Sequence, residues 1–400
     1  MFPCRPVCAI GFAAVSFLAA WMPGTAVEPA RAVGLEQRFK QLDRNANGKV
    51  TAEETGNVEW FRWLDRAGKG YVTLEDLRRP GAVPWNRGGA KSSSAPTQTP
   101  EFVKHPDLRY AETPGVERKF HSLDVYSPRT EGKHPVLVFI HGGGWRGGDK
   151  SSPSVGENPA RFYCGGGFVY VSINYRLTPA GKHPANIEDV AKAVAWVHDN
   201  IEGYGGDPEQ MSIMGHSAGG HLAALVATDE KRLMAEGKSL GILKRAVLLD
   251  PAAYDIPRYM KEFAPAARSM RRLYESAFGT DPAMWADASP QQHIAPDEGI
   301  PPMLMFYTGA RMNADKTAPA FAAALTEAGS PSRAVDTLTL SHADILRTAA
   351  QKDQPLARMI LRFLRGEDAT TMPAALDARE SGAAAAPKSA AEAPDKERSQ

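Results

Sequence analysis

The segment Gly215-His216-Ser217-Ala218-Gly219 sets a serine between two glycines at the spacing G-x-S-x-G. A serine hydroxyl is a weak nucleophile near neutral pH. It does chemistry when a base takes its proton and fixed donors receive the charge that develops on an attacked carbonyl oxygen. Upstream, His141-Gly142-Gly143-Gly144-Trp145 supplies such donors as the backbone amides of Gly143 and Gly144, with the amide of Ala218 as a third. No Lys-Ser or Lys-Thr pair follows these glycines, which argues against a cradle for nucleotide phosphates. The chemistry expected is acyl transfer, in which Ser217 forms a covalent acyl intermediate that water then releases.

A base is needed after the last strand, and His342 in Leu340-Ser341-His342-Ala343-Asp344-Ile345 stands there. His183, His216, His221 and His293 sit in a loop, beside the serine, or in an irregular insertion, and are weaker candidates. The order serine, acid, histidine leaves the acid between them. After the apolar run 303–307, Gly309 is followed by Ala310-Arg311-Met312, so the first carboxylate is Asp315. A bulged loop would bring Asp315 to the imidazole; its alternative role is to cap the helix that follows. Asp250 and Asp255, after the preceding strand, are substitutes, and a dyad assisted by water is a further arrangement. Cys164, in Tyr-Cys-Gly-Gly-Gly, lacks a nucleophile turn and reads as a small buried side chain.

A second kind of chemistry lies near the N-terminus. Residues 43–54, Asp-Arg-Asn-Ala-Asn-Gly-Lys-Val-Thr-Ala-Glu-Glu, follow the twelve-residue EF-hand spacing. Asp43, Asn45 and Asn47 offer side-chain oxygens, Lys49 a carbonyl, Thr51 an oxygen directly or through water, and Glu54 a bidentate carboxylate, a set suited to calcium. One aspartate among the first three ligands predicts weaker binding than a fully acidic loop. Residues 65–76 repeat the pattern with Ala67 and Lys69 in place of ligands and Asp76 at the end, which suggests a structural partner that pairs through Val72 and holds ion poorly.

These residues need elements to position them. Short apolar runs at 121–126, 136–140, 168–173, 211–214, 246–249, 303–307 and 334–338 read as strands, and 186–201, 218–228, 317–328 and 355–364 as helices. Their alternation predicts a mostly parallel sheet covered by helices, with Ser217 on a strand, sharp turn and helix. The expected division is an export signal over 1–26, an EF-hand pair over 35–79, a linker over 80–106, a catalytic domain over 107–366 and a disordered tail over 367–400. The signal reading rests on Arg5, the apolar run 7–21 and small residues before the cut. That run is too short to span a bilayer, so no integral membrane segment is expected in the mature chain, which would be periplasmic or extracellular. Cutting near Ala26 removes Cys4 and Cys8 and leaves Cys164 without a partner. With 47 basic and 46 acidic residues, no net field favours nucleic acid; a small-molecule ester is the expected partner.

Leu123-Asp124-Val125-Tyr126, the HGGGW loop, Asn174-Tyr175-Arg176-Leu177, Gly206-Asp207-Pro208 and GHSAGG occur in that order. Over residues 108–365 the chain resembles the α/β-hydrolase-fold esterases and lipases related to hormone-sensitive lipase, including the bacterial feruloyl- and acetyl-esterase-like (BD-FAE) members and kynurenine formamidase. The resemblance implies an α/β-hydrolase fold, a serine hydrolase, and structural roles for 174–177 and Asp189. The reading is a secreted carboxylesterase with a small calcium-binding module and no cofactor for catalysis. Kynurenine formamidase-like amide cleavage, or a catalytically weak scaffold for calcium-dependent binding, are the alternatives. Residues 254–301 are expected to roof the pocket.

Overall fold

The structure, a computed structural model, describes residues 39–40, 43–55, 69–78, 96–262, 267–309, 311 and 313–376. The expected signal, most of the linker and the last part of the tail lie outside them. The chain divides into two compact units, Met1–Trp85 and Asn86–Gln400.

In the smaller unit, Val50 and Val72 are buried and exchange two backbone hydrogen bonds of 2.8 and 2.9 Å, forming an antiparallel bridge between the loops ahead of Ala52–Thr55 and Leu74–Arg78.

The larger unit is built on a nine-stranded sheet. Its strands are β1 Thr97–Gln98, β2 Phe102–Arg109, β3 Ser122–Pro128, β4 His134–Ile140, β5 Val169–Ile173, β6 Gly206–His216, β7 Leu243–Leu249, β8 Met303–Tyr307 and β9 Arg333–Asp336. The order is β1-β2-β3-β5-β4-β6-β7-β8-β9. From β5 to β9 all pairings are parallel, and β1, β2 and β3 add antiparallel pairings at one edge. This is the mostly parallel sheet expected.

Because side chains alternate across a strand, each strand feeds two cores. Val136, Val138, Ile140, Ile213 and Leu248 face one layer, with the helices Ala185–Asn200 and Ala218–Thr228. Leu137, Phe139, Met214, Val247 and Leu249 face the other, with Glu157–Gly165 and Pro355–Leu364. Burial on both faces explains why these strands read as unbroken apolar runs. The helix Ala218–Thr228 is buried all round, which fits a sequence with no charged face.

Two boundaries differ from the sequence reading. β2 begins inside the segment expected to be linker. Its apolar alternation is interrupted by Pro106 and by a register shift between His105 and Leu108, so no period-2 pattern betrays it. The tail expected to be disordered from 367 is ordered through Leu376. Ala369, Met372 and Leu376 are buried in the second core, and Asp336 exchanges backbone hydrogen bonds with Ala374 and Leu376.

In the helix Ala185–Asn200, Asp189 is fully buried and accepts from His121 Nε2 (3.0 Å), Arg176 Nη2 (2.7 Å), Arg176 Nε (2.7 Å) and the Arg176 amide (2.9 Å). Burial would raise its carboxyl; the bonds and charges of His121 and Arg176 outweigh that and hold it below the ordinary aspartate value. A depressed native value means the stabilisation is present above the unfolded-state value and fades as pH falls through the native one. Asp189→Asn should therefore cost about 3–5 kcal/mol at pH 7 and flatten the acid limb of the stability curve, as measured by urea denaturation between pH 7 and 3. An unchanged acid limb would show that Asp189 does not govern it.

Candidate active site

β6 runs through Met211-Ser212-Ile213-Met214 into Ser217, which has φ 55° and ψ −118° and lies immediately before the helix Ala218–Thr228. A non-glycine residue in that region is held there by its surroundings at a cost of about 1–3 kcal/mol. Three bonds do the holding: the Ser217 amide donates to Leu249 O (2.9 Å), and its carbonyl accepts from His221 N (3.0 Å) and Ala252 N (3.0 Å). The turn also presses against β4, since a Cβ on Gly219 would lie 2.1 Å from Ile140 O. Only glycine fits.

The loop after β4 is equally constrained. Gly143 has φ +120°, and a side chain there would lie 2.1 Å from Gly147 O, whose residue instead closes a turn by donating to Gly143 O (3.1 Å). Trp145, at φ 58°, buries its ring against His221, Tyr274 and Phe278 and so anchors the loop. Among the described residues, the amides of Gly143, Gly144 and Ala218 donate to no backbone carbonyl. His141 is buried, stacks on Tyr175 and is lowered from its ordinary value by burial, which makes it a neutral packing group.

His342 opens the helix His342–Thr348, capped by Ser341, whose side chain and that of Asp344 bond reciprocally. Its Nδ1 lies 2.5 Å from Asp250 Oδ2. An ionised carboxylate only accepts, so Nδ1–H donates and Nε2 is left as the basic nitrogen. Asp250 is buried at the end of β7 with φ 44°. Burial acts to raise its carboxyl, yet the bond from His342 and the charge of Arg311 hold it below its ordinary value. The sequence reading placed Asp315 first. Asp315 instead lies in the first turn of the helix Ala314–Glu327, and Asp255 accepts from Arg258 N (3.1 Å), so of the three carboxylates it is Asp250 that meets the imidazole. The reason is physical: the bond from Ala252 to Ser217 draws the β7 loop under the nucleophile turn.

Ser217, His342, Gly143 and Gly144 line one cavity of about 580 Å³, together with Met270 and Leu273 from the helix Arg268–Phe278. The segment expected to roof the pocket thus contributes to its wall. No hydrogen bond joins Ser217 to His342 among the described residues; such contacts commonly tighten only when substrate is bound.

Two residues at this site carried no role in the sequence reading. His216 is pushed down to about 3 by burial and by neighbouring His342, so it is neutral; its Nε2–H donates to the His342 carbonyl (3.0 Å) and fixes the start of that helix. Arg311 places Nη1 2.8 Å from Asp250 O, 3.1 Å from Asp250 Oδ2 and 3.1 Å from His342 Nδ1. Its signal was the arginine standing where the loop after β8 was expected to carry an acid. Cys164 is buried, donates to Tyr126 O (3.3 Å) and is pushed up to about 12 by burial, which suits a packing role.

In the smaller unit, Asp43 and Glu54 are both buried. Asp43 accepts from the amides of Asn47 (3.0 Å) and Gly48 (2.7 Å), while Asn45 and Asn47 accept from the amides of Asn47 (3.1 Å) and Lys49 (2.8 Å). Glu54 accepts from Thr51 N (2.9 Å), Thr51 Oγ1 (3.0 Å) and Asn45 N (3.4 Å). The last position of the loop is thereby tied to its third, through the Asn45 amide. In the second loop Asp76 is engaged by the Lys69 ammonium at 2.8 and 2.9 Å, which holds its carboxyl far below the ordinary range.

Comparison with known proteins agrees with this geometry. The BD-FAE family model matches residues 123–320. The probable carboxylic ester hydrolase LipM of Mycobacterium tuberculosis is 30% identical over 247 residues, covering 58% of this chain and 55% of that protein. Kynurenine formamidase of Meyerozyma guilliermondii is 32% identical over 153 residues, covering 36% of this chain and 55% of that protein. The chain therefore spans little more than half the length of either relative. Among solved structures, a truncated carbohydrate esterase from gut microbiota superposes with a TM-score of 0.55 at 19% identity, covering 68% of this chain and 98% of the other. The larger unit has the α/β-hydrolase fold, and the proteins it resembles include ester hydrolases and a kynurenine formamidase.

Proposed function

We propose that this chain is an exported serine carboxylesterase. The observation that carries the reading is one cavity lined by Ser217 on its strained turn, the Gly143 and Gly144 amides, and His342 backed by Asp250. Ser217 Oγ attacks the ester carbonyl as His342 Nε2 takes its proton, and the imidazolium that forms is stabilised by Asp250. The amides of Gly143, Gly144 and Ala218 receive the oxyanion. His342 then protonates the departing alcohol, and water, deprotonated by the same nitrogen, releases the acid. Export rests on the N-terminal segment alone. Among the described residues no helix is long and apolar enough to cross a membrane.

A second reading, amide cleavage of the kynurenine formamidase kind, is favoured by the match to that enzyme. The same machinery would serve it. The non-catalytic scaffold was motivated by the displaced acid, and Asp250 removes that motive.

The smaller unit is read as a calcium module. Buried carboxylates at the first and last positions of 43–54, with the intervening side-chain oxygens, fit a hard divalent cation. Asp43, Asn45, Asn47, the Lys49 carbonyl, Thr51 and Glu54 would hold it. In the second loop the Lys69 ammonium stands against Asp76, so one ion per chain is expected. Its role is to stiffen the module.

On p-nitrophenyl acetate, butyrate and decanoate, Ser217→Ala should abolish turnover, and Asp250→Asn should lower kcat by about 10⁴-fold through the wrong imidazole tautomer. Asp315→Asn should leave turnover unchanged. The reverse ranking of the two aspartates would return the acid to the β8 loop, and a folded wild type inert toward esters and amides alike would sink the hydrolase reading.

Calorimetric titration of the full chain should find one calcium equivalent, with affinity lost in Glu54→Gln and turnover insensitive to chelator. Chelation that stopped turnover without unfolding would overturn the purely structural role.

A further inference from the structure

A second cavity, of about 270 Å³, opens at the same edge of the sheet between the segments that follow β7 and β8. Its wall includes Asp250, Tyr254, Asp255, Arg258, Gln291 and Arg311. Arg311 also lines the cavity that holds Ser217 and His342, so one guanidinium borders both spaces.

The hydrogen bonds already made in this wall indicate what it lacks. Asp250 accepts from His342, Arg311 and the Thr308 amide (3.4 Å), while among the described residues Asp255 accepts the Arg258 amide at Oδ1 alone. The charged groups left over include two guanidinium edges. Arg311 bonds through Nη1 alone, so Nε and Nη2 make no hydrogen bond among the described residues. Arg258 bonds through Nε to Glu262 (3.0 Å), and its two terminal nitrogens make none among them. Tyr254, buried in the same wall, has a hydroxyl without a partner. A planar fork with one edge fixed on Asp250 and the other edge unused is suited to a second carboxylate, which it can hold through two parallel bonds. An alkyl group would leave those donors unsatisfied, and a sugar hydroxyl would accept from them without the charge that a carboxylate adds.

We propose that Arg311 is a specificity-determining residue that selects esters carrying a free carboxylate, which it holds at the mouth of the second cavity while the scissile carbonyl lies at Ser217. The proposal rests on the esterase reading for its catalytic half and on the wall itself for its binding half.

The test compares mono-p-nitrophenyl adipate with its neutral terminal amide, alongside calorimetric binding of free adipate to Ser217→Ala protein. The charged ester should be preferred in kcat/KM by about 10-fold or more, mainly through KM, because a site built for charge-assisted bonds discriminates against an analogue that lacks the charge. In Arg311→Met the preference should fall to about one, with Arg311→Lys retaining part of it as a control that keeps the charge. Adipate should bind Ser217→Ala and fail to bind the double variant Ser217→Ala, Arg311→Met. Turnover of both esters without preference, or a preference that survives Arg311→Met, overturns the inference and leaves the esterase reading standing. Arg311-dependent adipate binding in a protein that hydrolyses neither ester supports the carboxylate site and overturns the esterase reading.

Discussion

Ser217 holds a backbone conformation that an isolated chain would leave at once, and the larger unit supplies the opposing forces. Its amide is tied to β7 and its carbonyl to both the following helix and the β7 loop, so the turn is clamped from three directions. The clamp needs β4, β6 and β7 as adjacent parallel strands, because Gly219 must lie against Ile140 O and Ser217 N against Leu249 O at once. Two apolar layers keep that sheet in place. The strain is thus sustained by the core, which holds the Ser217 side chain at the end of β6.

The same clamp explains why the carboxylate beside His342 comes from the end of β7. A carboxylate must stand beside His342, and the chain has two loops that end near it, after β7 and after β8. The Ala252 to Ser217 bond fixes the first of these against the elbow, and Asp250, two residues earlier, inherits that rigidity. The loop after β8 then has no carboxylate to supply, and Arg311 occupies it.

Much of this was legible in the sequence. The strands β4 to β9 and the helices Ala218–Thr228 and Pro355–Leu364 were visible because strands covered on both faces leave unbroken apolar runs and because the glycine motifs mark strand ends. Ser217 and the Gly143–Gly144 loop, singled out by local spacing, line one cavity in the structure. Which of Asp315, Asp250 and Asp255 meets His342 was not legible, since chain order allows all three and only a long-range contact selects Asp250. β2 was hidden by Pro106, and the ordered stretch 367–376 by composition: three apolar side chains dock it, too few for a window average to register. Arg311 stood in plain sight as the residue that replaced an expected carboxylate.

That replacement has an electrostatic consequence. An imidazolium forming on His342 has Asp250 Oδ2 at 2.5 Å and Arg311 Nη1 at 3.1 Å, so it is attracted by one neighbour and repelled by the other at nearly equal range. The arginine keeps Asp250 ionised, which serves catalysis, but it also opposes the charge that catalysis creates. An anion on the outer edge of the guanidinium would retain the first effect and reduce the second. Under the proposed carboxylate selection, the substrate itself would supply that negative charge, and the position of one acid would be linked to the class of ester preferred.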